Sequence, residues 1–68
     1  MTRAQARLLT VGDKVSLAGV LAIGTITRVD RDPHAPSIGE VEISWSDGEV
    51  GAVSLDGLEE FQLVPYAQ

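Results

Sequence analysis

From Glu40 to Ser46 apolar and polar residues alternate without a break. Val41, Ile43 and Trp45 fall on one side, and Glu40, Glu42, Ser44 and Ser46 on the other. A period of two is that of an extended strand with one buried face. Asp47-Gly48 follows at once, the dipeptide that most favours a two-residue type I′ hairpin turn. Such a turn returns the chain as a strand from Glu49 to about Leu55, setting Trp45 opposite Val50 and Ile43 opposite Ala52. Both strands then keep one apolar face, which must be covered by the rest of a small β domain.

The remaining chain supplies that cover in short pieces. Val11 to Leu17 places Val11, Val15 and Leu17 on one face of a first strand. Ala18 to Ala22 reads as a soft apolar loop. Gly24 to Asp30 is a second strand rich in β-branched residues. Ile26 and Val29 point the same way only if a bulge separates them. Asp32 to Gly39 holds two prolines and a glycine and reads as a loop, since these cannot sit in a central strand. Asp56-Gly57-Leu58-Glu59 has capping-box spacing and room for one 3₁₀ turn. Phe61 to Val64 closes the plan as a last strand before Pro65.

The reading is an all-β, five-stranded SH3-like barrel over 11–64. A short N-terminal arm, helical or frayed, precedes it over 1–10, and a tail follows over 65–68. The expected core is Val15, Leu17, Ile26, Val29, Val41, Ile43, Trp45, Val50, Val53, Leu55, Leu58, Phe61 and Leu63. Within the arm, Thr2 could cap a helix, Ala4 and Leu8 share one face, and Arg3 and Arg7 share another.

A chain of 68 residues makes one domain. A domain of this size buries only about 60% of the surface its unfolded chain exposes. There is no cysteine, so neither disulfides nor thiolate metal sites can staple it. Good packing or self-association remains, and a homo-oligomer, most simply a twofold dimer, is expected. No apolar run reaches the ~20 residues of a membrane span, and no signal-type apolar segment follows Arg3 and Arg7. The expected location is cytoplasmic.

The net charge is −5, unevenly placed. All five basic residues lie among the first 31, against Asp13 and Asp30, giving +3; the eight remaining acids follow with no base, giving −8. Phosphate would be repelled by most of the domain, so nucleic acid is an unexpected partner.

Gly12-Asp13-Lys14-Val15, Gly24 to Val29 and Val41 to Gly48 together resemble KOW- and Tudor-like members of the SH3-like small barrels. That group includes ribosomal and transcription factors, histone-tail readers and small phage or mobile-element proteins. Gly51 to Asp56 is also similar to the pore strand of type II dihydrofolate reductases. Ser54 and Asp56 stand where that family has glutamine and tyrosine, so its active-site residues are missing, and the fold alone fixes no function.

Chemistry-bearing patterns are sparse. His34 is a lone histidine in a proline-bracketed loop, and no second histidine or cysteine could complete a zinc site. No serine sits in a nucleophile elbow, and the scattered glycines form no phosphate loop. No cofactor is expected. Trp45 reads as core, because a cationic cage needs several convergent aromatics.

The leading expectation is a non-enzymatic protein-interaction module. Its acidic face, Glu40, Glu42, Asp47 and Glu49, would meet a basic protein surface or another copy. Arg3, Arg7, Leu8 and Leu9 are the expected self-association residues. Alternatives are a KOW-like nucleic-acid or ribosome-associated domain using Lys14, Arg28 and Arg31, and a reductase-like pore enzyme.

Overall fold

The computed structural model describes residues 1–64, leaving aside the side chains of residues 36–38; the expected tail at 65–68 lies outside it. The first helix, α1, spans Arg3–Arg7. Strands β1 (Lys14–Leu17), β2 (Gly24–Asp32), β3 (Ala35–Trp45) and β4 (Val50–Ser54) follow. A 3₁₀ helix, Asp56–Glu60, leads into β5, Phe61–Val64. The strands form one antiparallel sheet in the order β4-β3-β2-β1-β5, curled into a half-barrel with β4 and β5 as its free edges.

β2 and β3 are the longest strands and carry most of the curl. Their register shifts between Ile26 and Arg28, the bulge anticipated from Ile26 and Val29. Ile26 is buried and Val29 half-buried, while Arg28 and Asp30 face out. A second shift lies between Arg31 and Asp32, so the expected loop at 32–39 is instead a hairpin turned at Pro33 and His34. Proline is tolerated in this part of β3 because β4 reaches only as far as Glu40; Pro36 has no strand on its other side. Gly39 makes that end fit, with φ +150° in the region L side chains avoid.

The β3–β4 turn differs from the sequence reading by one residue. The Trp45 N–H donates to the Glu49 carbonyl (2.7 Å), and the Gly48 N–H to the Trp45 carbonyl (2.9 Å). Ser46, Asp47 and Gly48 thus form a three-residue loop. Only Gly48 (φ +97°) is left-handed, as expected of a type I turn closed by a glycine bulge. Ile43 now faces Gly51, and Val41 faces Val53. Val50, expected in the core, points outward and is 64% exposed. Gly48→Val should still cost about 1–3 kcal/mol, since positive φ is required in either turn type. A melting temperature left unchanged would refute the conformation at Gly48.

The core consists of Ala6, Leu9, Val15, Ile26, Val41, Ile43, Leu55, Leu58 and Phe61. Leu17, Val29, Trp45 and Val53 pack against it half-buried. Leu63 and Val11 are exposed instead of buried: Val11 belongs to the turn before β1, which starts only at Lys14. Asp56 does not cap the 3₁₀ helix; Leu55 holds that position, and the Gly57 N–H donates to Ser54 Oγ (3.2 Å).

The N-terminal arm is a docked helix. Thr2 and Gln5 form a reciprocal capping box, which starts the helix although it is too short to persist alone. Ala6 and Leu9 are buried in the open side of the half-barrel. Arg31 Nη2 donates to the Ala6 carbonyl (2.8 Å) and the Leu9 carbonyl (3.0 Å), holding the end of the helix. At the other end the Met1 amino group donates to the carbonyls of Leu58, Glu59 and Phe61. Among the described residues, no helix is long and apolar enough to cross a membrane.

Candidate functional site

The four acids expected to share one face are divided by the fold. Glu40 and Glu42 sit on the outer surface of β3, where they have neighbours of their own. Arg28 lies 3.8 Å from Glu40, and Thr27 Oγ1 donates to Glu42 Oε1 (3.0 Å). That face also carries Lys14, whose ammonium donates to Thr25 Oγ1 (2.7 Å), and Asp30. Mixed, solvated charges of this kind contribute little individually.

Asp47 and Glu49 belong to the opposite side, at the tip of the β3–β4 hairpin. The Glu49 N–H donates to Asp47 Oδ1 (3.1 Å), which fixes the turn. Beside them Leu17, Val20 and Trp45 complete an open groove of ≈ 280 Å³. One side of Trp45 meets the core through Phe61, with ring centroids 6.1 Å apart and planes tilted by 34°. The rest of the indole lines the groove, so the residue read as core is shared between core and surface.

The far wall of the groove is the β1–β2 loop. It is tied to the hairpin by two bonds: the Ser46 N–H donates to the Ile23 carbonyl (2.8 Å), and the Ile23 N–H to Ser46 Oγ (3.0 Å). Leu21 at the crest of this loop is fully exposed. An apolar loop tip set beside an indole and two carboxylates was not visible in sequence, because loop and hairpin lie more than 20 residues apart.

The expected self-association residues separate as well. Leu9 is 1% exposed and therefore unavailable to a partner in this fold, whereas Leu8 is 79% exposed. Burial of alternate arm residues follows from helix docking, which the sequence left open. Arg3 lies 3.4 Å from Glu59. Arg7 makes no ion pair among the described residues; with Arg3, Ala6, Leu55 and Asp56 it lines a second, smaller groove between α1 and the 3₁₀ helix.

Of the three bases considered for phosphate, Arg31 is committed to the α1 carbonyls, and its buried Nε has no acceptor among the described residues. Lys14 and Arg28 remain on the outer face among Asp30, Glu40 and Glu42. Ser54 and Asp56, at the positions of the reductase resemblance, are both exposed, the first on β4 and the second opening the 3₁₀ helix. His34 sits at the β2–β3 turn, where its N–H donates to Asp32 Oδ1 (2.8 Å). Among the described residues no three histidine or acidic side chains converge on a metal position. Neither a family model, nor a curated protein, nor a solved structure matches this chain.

Proposed function

We propose that the chain is a non-enzymatic protein-interaction module on an SH3-like barrel, and that it binds its partner in the groove beside Trp45. The observation that carries this reading is the joining of an accessible indole, aliphatic walls from Leu17 and Val20, and a rim of Asp47 and Glu49. A lysine or arginine side chain suits such a groove. Its methylene stem lies along apolar surface while its charge reaches the carboxylates, and the indole face adds a cation–π attraction. The ligand is then a segment of a protein partner with a basic residue beside aliphatic ones. The five-stranded curled sheet is compatible with the SH3-like assignment.

A displayed library of random heptapeptides, selected on the purified protein, tests the reading. Lysine or arginine flanked by aliphatic residues should be enriched. Val20→Lys, outside the core, should weaken selected peptides by roughly tenfold, and Asp47→Asn, which keeps the Oδ1 acceptor of the turn, by roughly threefold. Trp45 fluorescence reports the binding directly. No enrichment, or peptides indifferent to both substitutions, would refute it.

A further inference from the structure

Among the described residues, nothing protects the outer edge of β4. Its sequence, Val50-Gly51-Ala52-Val53-Ser54, has no charge and no proline, the two usual guards of an exposed edge. The bonds from Leu55 N to the Gly39 carbonyl and from Trp45 N to the Glu49 carbonyl set the phase of the ladder. Odd-numbered residues of β4 turn their N–H and C=O toward β3. Val50, Ala52 and Ser54 therefore direct theirs outward. Among the described residues, no turn, loop or cap bond reaches these six groups. The other edge is partly closed: the Met1 amino group takes the Phe61 carbonyl.

Gly51 is the second observation. Its φ is not positive, and a Cβ built there meets nothing within 4 Å. The single chain gives no reason for glycine in the middle of this strand, where it weakens the fold. It leaves the inner face of β4 open opposite the side chains of any strand that pairs with this edge.

We infer that β4 pairs antiparallel with β4 of a second copy about a twofold axis at Ala52. This inference shares Glu49 with the rim of the Trp45 groove, and its hydrogen-bonded strand pairing rests on β4 alone. Ala52 exchanges two hydrogen bonds with its symmetry mate, and Val50 exchanges two with Ser54 of the other copy at each side. All six outward donors and acceptors on each strand are then satisfied. On the inner face Val53 of one copy lies opposite Gly51 of the other, which supplies the space for it. Glu49 lies opposite Leu55 of the other copy, and Leu55 shares its groove with Arg3, Arg7 and Asp56. The carboxylate thus meets Arg7, which has no ion-pair partner in its own chain among the described residues.

Sedimentation equilibrium at about 100 μM should give twice the 7.2 kDa chain mass. Ala52→Pro removes only an outward N–H and leaves the β3–β4 ladder intact, so it should fold yet be monomeric. Ala52→Lys, an edge guard that touches no core residue, should also give a folded monomer. Arg7→Glu and Glu49→Arg should each weaken association roughly three- to tenfold, and the double charge reversal should restore most of it. The amides of Val50, Ala52 and Ser54 should be protected from hydrogen exchange in the wild-type protein and not in the monomeric variants. A monomer at several hundred micromolar would overturn the inference. So would a dimer that survives Ala52→Pro and Ala52→Lys, which would place the contact at Leu8 or Leu21 instead.

Discussion

Gly39→Ala is expected to destabilise the domain by about 3 kcal/mol or more, a large share of the stability of so small a fold. The added methyl would collide with the Asp30 carbonyl oxygen and crowd the Arg31 Cα, both of them backbone that cannot turn aside. The left-handed φ adds a conformational penalty of its own. The damage should spread, because the displaced segment ends at Arg31, whose guanidinium holds α1. Gly51→Ala supplies the control: its Cβ enters open space, so the stability of the folded chain should be unchanged or slightly raised. Urea unfolding of both variants makes the comparison, and a loss below about 1 kcal/mol at Gly39 would show that β3 starts with another backbone geometry.

The second large effect separates two adjacent leucines. Leu9→Ala should cost about 2–5 kcal/mol, because the side chain is fully enclosed by the half-barrel and its removal leaves a cavity. Leu8→Ala, on the exposed side of the same turn, should stay within about 0.5 kcal/mol. In a domain of this size each kcal/mol moves the melting temperature by roughly 4–8 °C, so one scan of each variant decides. Equal melting points would mean that α1 does not dock.

This pair of residues also shows where the sequence stopped being informative. In an isolated pattern Leu8 and Leu9 are equivalent apolar neighbours of Arg3 and Arg7. Only the fixed position of α1 against the sheet buries one and exposes the other. The strands were legible because their information is local: alternation at 40–46, β-branched residues at 24–30, and a break before Phe61. The bulge at Ile26–Arg28 could be read because two apolar residues an odd number apart had to point the same way. The hairpin register could not, because Asp-Gly fits both a two-residue and a three-residue loop. Val50, Gly51, Ala52 and Val53 are too uniformly apolar to reject either pairing. The groove depends on Trp45 and Val20 meeting across the sheet, a non-local fact. Of its residues, Trp45, Asp47 and Glu49 had been singled out, but with Trp45 as core and the acids as part of a larger face.

The anchoring of Met1 on the 3₁₀ helix and β5 joins groups 57 to 60 positions apart, nearly the length of the chain. β1 likewise finds one of its partners only in β5. Loop closure on this scale precedes the contacts that reward it, which places refolding in the range of roughly milliseconds to seconds rather than microseconds. A nascent chain still lacking Phe61 would hold Ile26, Ile43 and Leu55 in an uncovered trough. Completion of the domain must therefore await emergence of β5 from the ribosome.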